Sequence, residues 1–407
     1  MISVSRAALG LALALGGGLI AAASPGLAQE QRAITLNEQE RTALQALKTA
    51  LETKNYAAAT SALTTAQQVA RSGYSRYLAS ALQLRLGLET KSYGLQKTAI
   101  DAMVGSGSAP AGALPQLYKS QGALAMSAGK YEDAEEAFTR WTQVAPNDPE
   151  AFLALAKAKE VRKKVPEAVA MISHAIKIQS AGNRPVPESW YLRGLKHAFD
   201  AKMVPQSLDF SRALVAAYPT VQNWRDALLV RSDLGQLDPA ATLDLLRLLR
   251  GSKALAGERD YYAFAEALIA ADFGAEAKAV LDEGIAAKMV DASEGKTKEL
   301  LTSAKKATTA SSALAGLEIK ATSAATGAAA MTAADAYFGH GDYAKAAAMY
   351  RAALQKGSID PNVANTRLGM ALGLAGQKAE AETALRTVTG PRADLASLWL
   401  LWLAQRG

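Results

Sequence analysis

The sequence lacks several features on which whole classes of function depend. It contains no cysteine, which excludes disulfide frameworks, thiol catalysis and thiolate metal sites. Aromatic residues make up only 6% of the 407 residues, whereas 50% are hydrophobic. Much of this apolar content is alanine, the strongest helix former, so the composition favours closely packed helices. After the amino-terminal segment there is no further run of about 20 apolar residues, and we expect the mature chain not to span a membrane.

Positive charge is in mild excess, with a formal net charge of +7. The densest basic run is Arg162-Lys163-Lys164, which is typical of a solvated helix end. Nucleic-acid binding requires a basic stripe interleaved with aromatic residues, and the sequence has none. We therefore expect no nucleic-acid partner, although the charge balance favours acidic partners.

The first 28 residues resemble a secretory signal peptide. Arg6 is the only charge before an uncharged run of Ala, Leu, Gly and Ile from Ala7 to Ala23, and small residues precede Gln29. These features predict cleavage after Ala28 and a periplasmic location in a bacterium. An uncleaved membrane anchor is the alternative, although the run is slightly shorter than the roughly 20 residues that span a bilayer.

Helical periodicity begins near Glu40. Apolar residues then recur at intervals of three and four, as one buried helical face requires. The first two such stripes are Leu44, Leu47 and Leu51, and Ala59, Leu63 and Ala66. Because no long segment alternates with a period of two, the sequence predicts an all-α protein.

A spaced helical signature returns along the chain. One copy begins Gly129-Lys130-Tyr131 and continues to Phe138, and another begins Gly341-Asp342-Tyr343 and continues to Tyr350. Small residues also recur twelve positions apart, as two closely crossing helices require. These pairs are Gly122 and Ala134, Ala156 and Ala168, Ala265 and Ala277, Ala334 and Ala346, and Gly369 and Ala381. From Ala134 to Ala168 the period is 34 residues.

These residues resemble the tetratricopeptide repeat family, whose pattern is roughly W-x2-L-G-x2-Y, then A-x3-F, then P. The best copies are repeats 115–148, 149–182, 327–360 and 362–395. Copies near 40–73, 77–110, 187–220, 221–254 and 258–291 are degenerate, and Gln96 and Gln206 replace the expected small residue. The resemblance implies an α-solenoid of stacked antiparallel helix pairs. It also implies a non-catalytic scaffold or adaptor that binds a protein or peptide.

Five segments follow from this pattern. After the signal peptide come a polar segment (29–39), a helical array (40–291), an Ala/Lys/Thr-rich helical linker (292–326) and carboxy-terminal repeats with a capping helix (327–407). The linker is either a hinge or a poorly packed helix pair. The final helix carries Trp399 and Trp402, which we expect to cover the last repeat; contact with a partner or membrane is the alternative.

Catalytic constellations are missing from the sequence. The three histidines, His174, His197 and His340, are scattered without ligand-like spacing, and we expect no metal or cofactor. The dipeptide Glu188-Ser189 matches the catalytic dipeptide of soluble lytic transglycosylases, but nothing else of such a domain follows it. Glu188 is better interpreted as a carboxylate at a helix start, and we expect no enzyme.

The resemblance also places a binding groove along the first helix of each pair. The fifth and ninth positions of these helices give a mixed basic and aromatic lining that suits a protein or peptide, particularly an acidic one. The candidate groove residues are Lys119, Lys157, Tyr191, Arg225, Tyr262 and Glu266. A glycan or peptidoglycan-handling accessory is the alternative function, with a lytic-transglycosylase-like enzyme as the third.

Overall fold

A computed structural model describes residues 36–235, 237–311 and 314–406. The signal peptide predicted at 1–28 therefore lies outside the described residues, as does most of the polar segment. Within those ranges the chain forms 21 α-helices and no strand. The helices are α1 Glu38–Glu52, α2 Tyr56–Val69, α3 Gly73–Glu89, α4 Tyr93–Gly105, α5 Leu114–Ser127, α6 Tyr131–Val144, α7 Pro149–Val161, α8 Val165–Ala181, α9 Glu188–Asp200, α10 Val204–Ala217, α11 Val221–Leu234, α12 Pro239–Gly251, α13 Gly257–Ala270, α14 Gly274–Ala286, α15 Gly295–Ser311, α16 Leu314–Ser323, α17 Ala328–Gly339, α18 Tyr343–Lys356, α19 Pro361–Leu374, α20 Lys378–Arg386 and α21 Ala393–Gln405.

Consecutive helices pack as antiparallel pairs joined by short turns, as in α1 with α2, α5 with α6 and α17 with α18. Within a unit, neighbouring pairs pack on each other, as α6 does on α7. The predicted fold class, an α-solenoid of the tetratricopeptide type, is confirmed.

Small residues line the crossings of these pairs. The eight alanines predicted there are all fully buried: Ala134, Ala156, Ala168, Ala265, Ala277, Ala334, Ala346 and Ala381. Gly122 lies directly against Phe138, because a Cβ atom at Gly122 would be 2.3 Å from the phenyl ring. Gly194 lies against Phe210 in the same way. A bulky residue on one helix thus packs against bare backbone on its partner.

The turn inside each pair has a recurring geometry. A residue with positive φ comes two positions before the second helix, and it is Gly129, Gly341 or Gly376 in three pairs but lysine or aspartate in others. The residue after it donates its N–H to a carbonyl five residues back, as Lys130 does to Ala125 over 2.9 Å. This is the Schellman arrangement that ends helices. It fixes the register of each pair.

The pairs belong to two compact units, residues 36–190 and 191–406. In the first unit, Leu47, Leu51 and Ile100 are almost completely buried between α1 and α4. The expected linker 292–326 lies inside the second unit, where it forms α15 and α16. These helices pack against α14 and α17, so this segment does not coincide with the boundary between the units.

The terminal helix α21 folds back onto earlier helices of the second unit. Trp402 Nε1 donates to the carbonyl of Gly251 over 3.1 Å, and Gln405 Nε2 donates to the carbonyl of Val215 over 2.9 Å. Trp224 Nε1 in turn donates to Gln405 Oε1 over 3.0 Å. The helix also packs against α20, as a capping helix should, and it reaches far beyond the last repeat.

This placement does not support the alternative role of the final tryptophans in partner or membrane contact. Trp399 is fully buried and Trp402 is 4% exposed, so neither indole is available to a partner or a membrane. The physical reason is that the second unit covers its end with its own helices α10–α12. None of the described helices is both long enough and apolar enough to cross a membrane.

A buried ionic network lies at the centre of the second unit. Asp244 on α12 is fully buried and accepts hydrogen bonds from three arginines, Arg247, Arg367 and Arg392. Burial acts to raise the pKa of Asp244, but the three guanidinium groups outweigh it and hold the pKa below its usual value. Asp244 is therefore ionised, and it joins α12 to α19 and to the turn before α21.

Two further carboxylates complete this network. Glu276 accepts from Arg247 Nε at 3.0 Å and from Nη2 at 2.6 Å. Asp335 accepts from Arg367 Nη1 at 2.7 Å and from the Tyr350 hydroxyl at 2.6 Å. Three arginines thus face three carboxylates, which is the balance that buried charges require.

Candidate functional site

All six candidate groove residues lie on first helices of pairs. Lys119 is on α5 and Lys157 on α7 in the first unit, whereas Tyr191 is on α9, Arg225 on α11, and Tyr262 and Glu266 on α13 in the second. Their role in binding stays a prediction. Their surroundings differ from one residue to the next.

In the first unit the two lysines have different partners. Lys119 Nζ lies 2.7 Å from Glu150 Oε2 on the next first helix and 5.1 Å from the ring centre of Trp141. Lys157 Nζ lies 3.6 Å from Glu160, and its side chain is 61% exposed. Because Lys157 is held more loosely, it is the more available cation for an acidic group.

In the second unit Arg225 bridges neighbouring first helices. Its guanidinium binds both carboxylate oxygens of Asp260, which lies in the first turn of α13. It also donates to the carbonyl of Ala254 over 2.9 Å. The Arg225 side chain is 22% exposed and that of Asp260 is 15% exposed. The pair therefore links α11 to α13 and leaves one edge of the guanidinium near solvent.

Tyr262 and Glu266 form the next bridge between first helices. The Tyr262 hydroxyl lies 2.6 Å from Thr297 Oγ1, and Glu266 lies 2.8 Å from Lys296 Nζ, both on α15. Burial raises the pKa of Tyr262, so its hydroxyl stays protonated at neutral pH. Arg225 on α11 and Tyr262 and Glu266 on α13 thus lie on two neighbouring first helices.

Tyr191 departs from the expectation of an exposed groove residue. It is only 6% exposed, and its ring meets Tyr218 edge-on with centroids 6.4 Å apart. The physical reason is a register error of one residue. Lys119 comes ten positions before Gly129, the positive-φ residue of its pair. In the α9 pair the positive-φ residue is Lys202, and the residue ten positions before it is Leu192. Leu192, 42% exposed, is therefore the equivalent residue.

Two apolar side chains that are not among the six candidates flank Arg225. Val221 and Leu229 lie four residues before and after it, so the three share one face of α11. Val221 is 54% exposed and Leu229 is 38% exposed. The sequence indicated this surface, because apolar residues one turn before and one turn after Arg225 are unexpected on a helix face that only contacts solvent. We call Leu192, Val221, Arg225, Leu229 and Tyr262 the first-helix face.

The later pairs of the second unit do not offer the same surface. Asp335 on α17, and Thr366 and Met370 on α19, occupy corresponding positions and are buried. Asp335 is held by Arg367 and Tyr350 as described above. The chain's own side chains therefore cover these positions, and the first-helix face ends near α15.

A cavity of about 480 Å³ lies between the turns before α14 and after α17. Phe273, Glu276, Leu317 and Asp335 contribute to its walls. Its two buried carboxylates are already bound by Arg247 and Arg367, so they are not free to hold a metal.

The catalytic candidates are dispersed in the structure. His174 packs against Phe152 with ring centres 4.3 Å apart, whereas His340 is an exposed residue after α17. Glu188 lies in the first turn of α9, where a carboxylate favourably meets the helix dipole. In the part of the chain that the structure describes, no cluster of three metal-ligating side chains occurs.

Comparison with known proteins adds structural matches only. No protein-family model matches the sequence, and no curated protein matches it. Similar solved structures include PilW, described as a type IV pilus biogenesis factor, at 17% identity over 45% of this chain and 80% of that chain, with a TM-score of 0.28. A tetratricopeptide repeat protein from Parabacteroides merdae is 13% identical over 66% of this chain and all of that chain, with a TM-score of 0.30. The TPR2AB domain of yeast Sti1, in complex with pHSP90, is 12% identical over 72% of this chain and all of that chain, with a TM-score of 0.26. Values this low do not transfer a function to this chain.

Proposed function

We propose that this protein is a non-catalytic scaffold that binds a protein or peptide through the first-helix face of its second unit. The observation that carries the proposal is the exposure of Leu192, Val221 and Leu229 on first helices. Clustered exposed apolar side chains with a polar rim are typical of protein interaction sites.

The ionic bridges beside these residues support the same role. Arg225 with Asp260, and Lys296 with Glu266, hold first helices in fixed positions. A preformed surface loses less conformational entropy when a partner binds. Arginine is also among the residues that most often carry binding energy at interfaces. The partner we propose presents apolar side chains to α11 and a carboxylate to the open edge of Arg225.

Glycan binding is the less supported alternative. Sugar rings stack on exposed aromatic faces, yet four of the five tryptophans, Trp141, Trp224, Trp399 and Trp402, are buried, and Trp190 is half-buried. On the first-helix face the aromatic side chain is Tyr262, and its hydroxyl already binds Thr297. These contacts favour a protein partner over a glycan.

A periplasmic setting is part of the proposal and rests on residues 1–28. Expression in a bacterial host followed by cell fractionation and mass spectrometry of the amino terminus tests it. We expect the protein in the periplasmic fraction, beginning at Gln29. A cytoplasmic protein that retains Met1–Ala28 would contradict the location and leave the binding proposal untouched.

The binding function is tested by co-purification followed by titration. A partner identified by mass spectrometry is titrated against the unaltered chain and against Leu229→Asp, which places a charge in the apolar stripe. We expect binding to weaken at least tenfold, because a hot-spot residue carries about 2 kcal/mol or more and tenfold corresponds to about 1.4 kcal/mol. The matched control is Lys278→Asp on α14, whose side chain is 58% exposed. Equal binding by both variants would place the partner site elsewhere.

A further inference from the structure

Arg231 on α11 is a buried cation to which no carboxylate of the described residues is hydrogen-bonded. The residue is 4% exposed. Its Nη2 donates to the carbonyl of Pro391 over 3.2 Å, whereas Nε and Nη1 are buried and have no acceptor among the described residues. A guanidinium group carries five N–H donors and no acceptor. Most of the donors of Arg231 therefore have no protein partner among the described residues.

Burying the Arg231 guanidinium destabilises the folded chain if no anion is bound beside it. Burial disfavours the charged form and lowers the pKa of Arg231; Asp394 opposes this effect, and the charge of Arg212 adds to it. Buried charges in native proteins are paired or hydrogen-bonded, as Arg247, Arg367 and Arg392 are in the same unit. Arg231 is the exception to that balance among the described arginines near α21.

Arg212 on α10 contributes a second cation that reaches solvent. Its Nη2 lies 2.9 Å from Asp394 Oδ1 and its Nη1 lies 3.6 Å from Asp209, while its Nε is also without an acceptor. The side chain of Arg212 is 34% exposed and that of Asp394 is 42% exposed. Arg212 and Asp394 therefore form the partly exposed side of the cluster.

The amino terminus of α21 faces the same place. The preceding turn, Gly390–Arg392, provides the carbonyl that Arg231 binds. Arg392, at the N-cap position, makes no side-chain capping hydrogen bond, because its guanidinium is committed to Asp244. The N–H groups in the first turn of a helix attract anions, and α21 has 13 residues.

We propose that Arg231, Arg212 and the amino terminus of α21 form a binding site for an oxyanion, either a phosphate or a carboxylate group. The anion accepts hydrogen bonds from Nε and Nη1 of Arg231 and from Nε of Arg212, which are covered in the unbound chain and become accessible as the anion enters. It supplies the negative charge that Arg231 lacks, and it is independent of any protein bound at the first-helix face.

The test is thermal unfolding of the purified full chain while phosphate replaces chloride at constant ionic strength. A bound anion stabilises the folded state by mass action, so we expect the unfolding midpoint to rise and then saturate with phosphate. Arg231→Met keeps the apolar stem and removes the charge. We expect it to weaken the apparent phosphate affinity at least tenfold, about 1.4 kcal/mol, since hydrogen bonds between charged groups are lost.

Two controls separate this site from general anion effects. Arg386→Met removes the same charge from an exposed position on α20, where the side chain is 68% exposed, and should leave the phosphate response unchanged. Arg212→Gln should weaken it in a chain that still contains Arg231. Acetate in place of phosphate then distinguishes the two sources, because a carboxylate site responds to both and a phosphate site responds to phosphate alone.

The stability of the variant without phosphate gives an independent readout. Because Arg231→Met removes an uncompensated buried charge, we expect its midpoint in chloride to equal or exceed that of the unaltered chain. A lower midpoint would mean that Arg231 is paired within the protein and would overturn the site. A phosphate response no larger than that to chloride, or one that Arg231→Met retains, would overturn it equally.

Discussion

Arg392 Nη1 donates to Asp244 Oδ2 over 2.7 Å, joining residues that lie 148 positions apart in the chain. Asp244 is the shared acceptor of three arginines, so its replacement would leave their charges buried without compensation. We expect Asp244→Asn to lower the free energy of unfolding of the second unit by about 3–5 kcal/mol. Urea unfolding measures this, and Asp282→Asn, at a 51% exposed side chain, should change it little. Equal effects of the two variants would contradict the network.

A second ionic cluster predicts the acid sensitivity of the first unit. Burial acts to raise the pKa of Glu135, but hydrogen bonds from Lys159, Lys164 and Arg162 outweigh it and hold the pKa at about 2, below the ordinary 4.5. The ionised carboxylate therefore stabilises the fold above about pH 4.5, and this contribution is lost as the pH falls toward 2. We expect it to be on the order of 2–3 kcal/mol.

Urea unfolding between pH 7 and pH 3 checks this prediction with Glu135→Gln. The variant should be less stable than the unaltered chain at pH 7, and the difference should shrink as the pH falls. Glu132→Gln is the control, since the Glu132 side chain is 83% exposed. A difference that does not depend on pH would show that Glu135 contributes through packing alone.

The crossing of α5 and α6 predicts opposite effects of one chemical change at two glycines. A Cβ atom at Gly122 would lie 2.3 Å from Phe138, whereas nothing lies within 4 Å of one at Gly94 on α4. We expect Gly122→Ala to destabilise the protein by about 1–3 kcal/mol through overpacking. Gly94→Ala should stabilise it by roughly 0.5–1 kcal/mol through helix propensity. Denaturant midpoints that shift in the same direction would be inconsistent with this packing.

Lysines with positive φ in the turns are positions where replacement by glycine should increase stability. Lys163 has a φ of 60° between α7 and α8, a conformation that glycine adopts without steric cost. We expect Lys163→Gly to stabilise the protein by roughly 1 kcal/mol. The same change at Lys177, inside α8, should destabilise it by a similar amount. Thermal unfolding of both variants decides the matter, and a loss of stability at Lys163 would mean that its side chain stabilises the turn.

Much of the fold could be read from the sequence because helix pairs impose local rules. The small residues twelve positions apart, such as Ala156 and Ala168, are buried as predicted since only they allow close crossings. Degenerate repeats keep the close crossing with a different pair of residues. Gln96 replaces the small residue on α4 and faces Gly87 on α3, whose carbonyl accepts a hydrogen bond from Gln96 Nε2 at 2.9 Å. Periodicity, turn chemistry and residue size all act over short distances.

The groove was harder to predict because its side chains depend on distant partners. The predicted register of α9 was wrong by one residue, so the buried Tyr191 was selected in place of the exposed Leu192. Nothing in the local pattern indicated that α21 would return to α10–α12 and cover Trp399, or that Asp244 would meet Arg392. These contacts join residues more than a hundred positions apart, and a repeat pattern carries no information about them.

The central claim, that the first-helix face binds a protein partner, is tested most directly by site-specific photo-cross-linking. A benzophenone amino acid is placed at Val221 or Leu229 of the full chain and, as the control, at Lys278 on a second helix. In cells that express each variant, we predict that light produces a discrete cross-linked protein from Val221 and Leu229 and none from Lys278. Cross-links that form equally at Lys278, or that are absent from both first-helix positions, would contradict the account.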